Sequence, residues 1–578
     1  MVSASFDSLR PGADGWRCSF SQPRDVWVAR AVADVPGILA AAERAALDGR
    51  WVALCVSYEA APAFDPAFSA HEPVTLPPAC AASFDAPAGQ SPVAQQSPCS
   101  LTQWQPRVPR SQFVDAISRI RSYIAAGDVY QVNYTFPLDC AFSGDAAAWY
   151  RDLCAAQEAA YCAFIDLGRL KFLSISPELF LDRRGSSLVM RPMKGTAPRG
   201  RWADEDAARS AWLADSAKNR AENLMIVDLV RNDLGRVSDI GLVSVPRLFD
   251  IERYPTVFQM TSTVKARQRK GTWLMDIFAA VFPCGSITGA PKIRATEIIR
   301  ELEPFPRGIY TGAVGLIEPG GDCTFNVAIR TVVVDSDQHT ASFGVGGGIT
   351  WDSDADSEYA ECLDKCLFLG QQPSAFSLLE SLLLDNGSFF LLDRHLARLK
   401  SSALYFGFAL DEPLVRRRLA ETRDSHSAGQ WKVRLMLDRN GTVTINAEPL
   451  AALSLPRTVA FAVEPISADT VFLHHKTTRR EAYEAAMKSR PGVDDVLLWN
   501  NRGEVTESTI ANIVIEKDGI RWTPPRSSGL LNGVYRDELL ASGEIREKVL
   551  TKDDVLHADK RFLINSVRKW MPFVVASP

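Results

Sequence analysis

The sequence predicts an α+β fold, on three observations. Apolar residues recur at helical spacing from Ser111, with Phe113, Val114, Ile117, Ile120 and Ile124 on one face and Gly127 as the stop. Directly after it, Val129–Phe136 alternates like a strand, with Tyr130, Val132 and Tyr134 on one side. Further on, Leu316–Pro319 closes one strand, Gly320 and Gly321 turn the chain, and Cys323–Val334 reads as the next. Helices mixed with antiparallel hairpins argue against a doubly wound parallel sheet.

A chain of 578 residues exceeds a single hydrophobic core, so two to four domains are expected. The first hundred residues set short apolar runs such as Trp51–Ser57 between Pro/Ala-rich connectors, and Pro87–Pro98 reads as a loop. A boundary is expected at 370–374, in the polar stretch Gly-Gln-Gln-Pro-Ser. Beyond it the pattern restarts: Phe376–Leu384, the turn Asn386-Gly387, Ser388–Leu392, then a helix over Arg394–Phe408. This divides the chain into 1–370, itself a weaker 1–104 and a core 105–370, and 374–578. A net charge of −5 offers no electrostatic footprint for nucleic acid or an anionic membrane. The N-terminus lacks a basic segment followed by an apolar run, and no stretch is apolar enough to span a bilayer. The eleven cysteines include no Cys-x-x-Cys pair, so a reducing cytoplasm is the expected location.

Lys194, in Arg191-Pro-Met-Lys-Gly-Thr-Ala-Pro-Arg-Gly200, is the most informative residue. On a tight turn between Met193 and Gly195, with Thr196 next, its amine can approach an anionic ligand, and Arg199 supplies fixed positive charge. Alone this segment reads as a solvated loop. Its weight comes from an ordered series of downstream motifs: Glu222, Gly285-Ser-Ile-Thr-Gly-Ala-Pro-Lys292, Arg330, Gly346-Gly-Gly348 and Glu358-Tyr-Ala-Glu361. Glu358, Glu361 and Lys365 stand at i, i+3 and i+7 and face one way on a helix. Without the other motifs that face would be an ordinary solvated acidic surface.

This ordered set resembles the chorismate-utilising enzymes, strongly over 105–370 and weakly over 1–104. The resemblance implies a two-sheet β-sandwich core with surrounding helices. Within that family anthranilate synthases carry alanine at the Lys194 position, whereas aminodeoxychorismate synthases carry lysine, so 4-amination of chorismate is implied. Lys194 is then the nucleophile at ring C2, which requires its pKa to fall from about 10.4 through burial or a neighbouring cation such as Arg199. The resemblance assigns Mg²⁺ to Glu222 and Glu361, with Glu358 as a supplementary ligand. It assigns substrate contacts to Gly195, Thr196, Ser286, Tyr310, Arg330, Gly346, Gly348 and Lys365. Gln259 stands where many relatives have histidine. It can donate a hydrogen bond but cannot shuttle protons. No cysteine sits in a Gly-x-Cys-x-Gly elbow, so ammonia is expected from a separate glutamine amidotransferase subunit.

From about 374 the chain resembles fold-type IV pyridoxal-phosphate enzymes, an α/β fold that includes branched-chain and D-amino-acid aminotransferases and aminodeoxychorismate lyase. The carriers are His395-Leu-Ala-Arg398, His474-His-Lys476, Glu507 and Leu530-Leu-Asn-Gly-Val-Tyr-Arg536. The resemblance makes Lys476 the cofactor lysine, Glu507 the carboxylate for the pyridine nitrogen, and Arg398 with the backbone N–H groups of Val534 and Tyr535 the phosphate anchors. Asn565 and Ser566 can add contacts, and Ser381 falls about where lyases keep a hydroxyl. His474 and His475 are expected as structural neighbours of Lys476. This fold commonly dimerises, so a homodimer through the second domain is one expectation. Together the halves imply one chain that converts chorismate and ammonia to 4-aminobenzoate and pyruvate in the cytoplasm. An aminotransferase in the second half, an anthranilate or salicylate synthase in the first, and a non-catalytic ligand-binding chain remain as alternatives.

Overall fold

The computed structural model describes residues 2–7, 17–88, 99–370 and 376–576. The expected loop at 87–98 and boundary at 370–374 fall largely outside them. The chain forms two compact units, Met1–Pro198 with Ser210–Pro373, and Arg199–Arg209 with Ser374–Pro578.

Two ten-stranded sheets make up the first unit. One runs, neighbour to neighbour, through Gly289–Ala290, Gln131–Ser143, Thr340–Ile349, Thr331–Asp335, Leu170–Ser176, Tyr161–Asp166, Ser3–Asp7 and Arg17–Ser21. The other runs through Met193–Pro198, Val257–Gln268, Ser187–Arg191, Leu179–Arg184, Cys323–Val327, Ala313–Ile317, Trp51–Val56, Ala79–Phe84 and Asp25–Val28. Ser238–Arg253 pairs with Val257–Gln268, off this path. The pairings are antiparallel, in agreement with the α+β expectation.

The chain changes sheet at two places that matter later. One is Pro177-Glu178, between Leu170–Ser176 and Leu179–Arg184. The other is Ala328–Arg330, between Cys323–Val327 and Thr331–Asp335. The single strand expected over Cys323–Val334 is thus two strands in different sheets. The crossings hold each other: Val327 N donates to Glu178 O at 3.1 Å and Ile175 N to Arg330 O at 3.0 Å. Arg330 takes a positive φ of 49° at its crossing, a conformation that costs a non-glycine residue energy and needs such over-determination.

The expected helix at 111–127 is Arg110–Ala125. It buries Phe113, Ala116, Ile117 and Ile120, and each large apolar side chain so buried stabilises by roughly 1.5–3 kcal/mol. Phe113 packs edge-on against Tyr134, Phe136 and Tyr359, and Tyr359 stacks on Phe136 at 5.6 Å. Those rings fix the helix Ala355–Asp364, which carries Glu358 and Glu361. The strand expected over Val129–Phe136 is Gln131–Ser143, and Tyr130 lies outside it and exposed. Residues 131–136 are all buried because this strand is interior and covered on both faces, so no alternation exists to place Tyr130 on a core side.

In the second unit, a four-stranded sheet orders Ser388–Phe389, Leu378–Asp385, Gln430–Leu437 and Val443–Pro449. The expected hairpin is present: Asn386 and Gly387 have φ of 47° and 76°, as a two-residue turn between right-twisted strands requires. The helix after it is Leu392–Phe406, capped by Gly407 at φ 71°, two residues short of the expected end. A nine-stranded mixed sheet includes Arg457–Phe461 in parallel with both Asp495–Trp499 and Lys569–Val575.

Candidate active sites

Lys194 lies in the edge strand Met193–Pro198, which is broken in register between Met193 and Thr196. Gly195 turns at φ 99°, and a β-carbon there would press on Asn219 and Met260 at 3.1–3.2 Å. The helix Ala217–Gly235 locks this turn from behind: buried Asn223 donates Nδ2 to the carbonyls of Lys194 and Met260, both at 3.2 Å. Ser262 Oγ in turn donates to Asn223 Oδ1 at 2.5 Å. Lys194 is thereby aimed at the strand Thr340–Ile349, where a β-carbon on Gly348 would sit 2.8 Å from its Nζ and 1.9 Å from Gln131 Nε2. Gly347 is as close to Glu358, whose Oε2 would lie 3.1 Å from an added β-carbon. Gly346 O accepts a hydrogen bond from Lys365 Nζ at 2.8 Å.

Burial pulls the Lys194 ammonium below its ordinary pKa, against the opposing pull of Glu222, Glu178 and Glu361, while Lys365 lowers it further. Desolvation thus acts on Lys194 in the direction the sequence-based expectation requires. Arg199 has another engagement, a two-point ion pair with Asp206 at 2.6 and 2.9 Å.

Glu178 was not singled out by the sequence. Sitting at the first sheet crossing, it is 3% exposed, and Ser286 Oγ donates to its Oε1 at 2.6 Å. Burial pushes its carboxyl up to about 7, which Ser286 and Lys194 moderate. The available signal was an acid placed between two apolar strands, where charge is rarely buried without purpose. Gln131 was missed too: it is 1% exposed, and its Oε1 has no hydrogen-bond partner among the described residues.

The other expected residues divide. Ser286 joins Glu178. Gln259 is 9% exposed and its Oε1 accepts from Thr196 Oγ1 at 3.0 Å, so these two are bound to each other across the sheet. Arg330 donates to Gln157 Oε1 at 2.6 Å, and burial lowers its pKa. Tyr310 lies under Gly344 and lines a cavity of about 250 Å³ with Thr135 and Arg307, a cavity that Lys194 does not line.

Glu222, Glu358 and Glu361 do not gather into a ready-made cage. Among the described residues no group of three or more His, Cys, Asp or Glu is placed to hold a metal ion. Lys365 Nζ engages Glu361 at 2.9 Å, and burial raises the Glu358 carboxyl, with Glu361 adding to the rise. What remains is a set of hard carboxylate donors around Lys194, which suits a cation that keeps several waters and takes only one or two protein carboxylates.

In the second unit Lys476 lies where burial draws its ammonium down to about 8, with Arg398 lowering it and Glu380 opposing. Glu507, 4% exposed, accepts from Tyr483 Oη at 2.8 Å, Asn512 Nδ2 at 3.1 Å and Leu531 N at 3.1 Å. Burial pushes Glu507 up to about 7, and Leu531 N, Tyr483, Lys476 and Arg480 restrain it. Arg398 gives Nε and Nη2 to the two oxygens of Glu380 at 2.9 and 2.6 Å, and Nη1 to Asn532 O at 3.2 Å. Burial would raise Glu380, but Arg398 and His395 bring it to about 2. His395 Nδ1 is 2.7 Å from Glu380. Glu380 and Tyr483 carry no motif of their own and were not picked out, and Asn512 entered only as the last residue of the segment Gly503–Asn512 that carries Glu507.

The helix Val534–Ala541 starts beside this group, its N-cap Gly533 without a side-chain cap. A β-carbon on Gly533 would meet Asn512 Oδ1 at 2.1 Å, so only glycine permits this approach. The first N–H groups, on Val534 and Tyr535, are thus offered without a side-chain acceptor, as an anion site needs.

Residues 67–369 match the model of the chorismate binding enzymes, and residues 377–575 match that of class IV amino-transferases. The second match implies pyridoxal phosphate as cofactor of that unit, and the donor set of Lys476, Glu507, Gly533 and the bare helix start fits it. Aminodeoxychorismate synthase component 1 of Escherichia coli is 42% identical over 262 residues, 45% of this chain and 57% of that protein. Anthranilate synthase component 1 1 of Haloarcula marismortui is 41% identical over 256 residues, 44% of this chain and 52% of that protein. The chain thus spans a little over half the length of these curated relatives. Anthranilate synthase component I from Streptococcus pneumoniae superposes with a TM-score of 0.51 at 23% identity, covering 64% of this chain and 92% of that one, a likeness of fold. With more than half of its residues matched by the one model, the chain belongs to the chorismate binding enzyme family.

Proposed function

We propose that this chain makes 4-aminobenzoate in two steps, amination of chorismate at C4 by the first unit and release of pyruvate by the second. The observation that carries the reading is the buried amine of Lys194, lodged beside Gly348 and Gln131 with protonatable Glu178 in electrostatic reach. Relatives of nearly equal identity include an anthranilate synthase, so overall likeness does not choose the product. The lysine does, because anthranilate synthases carry alanine there.

Desolvated Lys194 attacks ring C2 as the 4-hydroxyl leaves. Glu178, holding its proton below about 7, gives that proton so that water departs. Ammonia then adds at C4 and expels the lysine amine, so the sum is chorismate plus ammonia to aminodeoxychorismate plus water. The unpartnered Oε1 of Gln131 can accept an N–H from the incoming ammonia. Glu222 and Glu361, with Glu358 beside them, would hold magnesium, which supplies neutralisation of a substrate carboxylate. Ammonia comes from a separate amidotransferase subunit.

In the second unit, pyridoxal phosphate when bound supplies the electron sink for the substrate's amine. Glu507 would face the ring nitrogen, and the start of the helix Val534–Ala541 would hold the phosphate. Lys476, drawn down to about 8, is able to take the C4 proton near neutral pH, after which the ring aromatises as pyruvate leaves.

The test is incubation of the protein with chorismate, Mg²⁺, ammonium and pyridoxal phosphate, with chromatographic identification of products. 4-Aminobenzoate and pyruvate in equal amounts are expected. 2-Aminobenzoate would overturn the first step. Aminodeoxychorismate building up without pyruvate would overturn the second in favour of an aminotransferase.

A further inference from the structure

We propose that Trp202 and Tyr405 are positioning residues for Lys476, acting through a strap formed by residues 199–209. The inference rests on the reading of Lys476 as the cofactor lysine. The strap comes from the middle of the first half of the sequence, yet it belongs to the second unit. Nothing in its composition marks it out.

The strap is a rigid reversal. Arg199 pairs at two points with Asp206, both largely buried, and Gly200 N donates to the same carboxylate at 2.9 Å. A β-carbon on Gly200 would lie 2.1 Å from the Asp206 nitrogen, so the reversal tolerates only glycine. Tyr405 fastens it to the helix Leu392–Phe406: its Oη donates to Gly200 O at 2.6 Å, and the Arg199 guanidinium lies 4.3 Å over its ring.

What this reversal presses on is the pair of residues before Lys476. The Trp202 indole lies 5.0 Å from the His474 ring, with the Arg201 and Arg526 guanidinium groups 4.8 and 4.6 Å over it. The Tyr405 ring lies 4.5 Å from the His475 ring, and Ser402 Oγ holds His475 Nδ1 at 2.9 Å. Burial drives His474 and His475 down to about 4 and about 3, so both are neutral rings at physiological pH and serve as packing surfaces. On the other side, Leu379 N donates to Lys476 O at 2.9 Å and Thr478 N to Ser377 O at 3.0 Å. Lys476 is therefore clamped between the strand Leu378–Asp385 on one side and the strapped rings on the other. A lysine whose desolvation sets its basicity depends on such a clamp, because a loosened loop admits water.

The test uses the full-length chain. Pyridoxal-phosphate affinity is followed by absorbance, and amide exchange over 473–478 is measured with and without cofactor. Trp202→Ala should weaken the cofactor by about tenfold, move the pH midpoint of its absorption band and speed exchange over 473–478. Trp202→Phe keeps a ring and should restore wild-type behaviour. Tyr405→Phe deletes one hydrogen bond and should shift every readout the same way by less. If Trp202→Ala does not fold, Tyr405→Phe decides: faster exchange supports the proposal and unchanged exchange overturns it. Unchanged affinity, band and exchange in Trp202→Ala would also overturn it. A wild-type protein that binds no pyridoxal phosphate would instead sink the reading of Lys476, and exchange in cofactor-free protein would still judge the strap.

Discussion

In the proposed mechanism Lys194 has to be neutral to attack and Glu178 protonated to donate, and burial moves each in the direction that proposal requires. The two groups give opposite pH limbs. A carboxyl raised to about 7 keeps its proton below that pH and loses it above, so Glu178 contributes an alkaline fall in chorismate consumption, while the need for a neutral Lys194 amine contributes a rise with pH. Glu178→Gln should cost about 10²–10⁴-fold in rate and abolish that alkaline limb; an unchanged limb would assign it to another group. Lys194→Ala should end 4-amination, read as loss of 4-aminobenzoate on chromatography, while pyridoxal-phosphate absorbance is unaffected. Lys194 could be read from sequence because it travels with glycine, threonine and a distant series of partners. Glu178 gave only a faint signal, one acid between two apolar runs, and the sheet crossing alone reveals that it is buried against Ser286. Arg199 misled for the opposite reason: five residues from Lys194 in sequence, it spends its charge on Asp206.

The strand Thr340–Ile349 shows how an element rather than a side chain shapes a site. Three successive glycines leave its surface bare where Lys194, Gln131, Glu358 and Lys365 converge. Gly348→Ala would drive a methyl group into Gln131 and against Lys194, displacing the proposed nucleophile. A loss of roughly a hundredfold in chorismate turnover is expected, as misplacement by about an ångström can cost. Pyruvate release from added aminodeoxychorismate should be unchanged, and wild-type chorismate turnover in this variant would show that the glycine is not needed. Periodicity found the helix Arg110–Ala125 and the hairpin at Asn386-Gly387, both of which are local. It joined Cys323–Val327 to Thr331–Asp335 because Ala328, Ile329 and Arg330 contain neither glycine nor proline to mark the crossing. The partner that forces the change of sheet, Pro177-Glu178, lies about 150 residues away, beyond any local pattern.

At the scale of the whole molecule, the chain enters the second unit at 198–199, returns to the first within the helix Ala203–Asp215, and enters the second again at 373–374. The sequence places a boundary at 370–374 and marks none near the first two passages. A protease site engineered after Pro373 should give fragments 1–373 and 374–578 that still elute together in size exclusion, because the first contains the strap that the second packs around. Separate elution would mean that the strap is too weakly held to matter, and Trp202→Ala should promote it. The order of synthesis adds a consequence of its own. Arg526, which lies over Trp202, follows Arg209 by 317 residues, so at roughly 5–20 residues per second the ribosome delivers it some 15 to 60 seconds later. During that interval the nascent chain carries Trp202 without the rings and guanidinium it will pack against. The first half thus reaches completion with a waiting segment, and the second half has to mature around a piece of itself made long before.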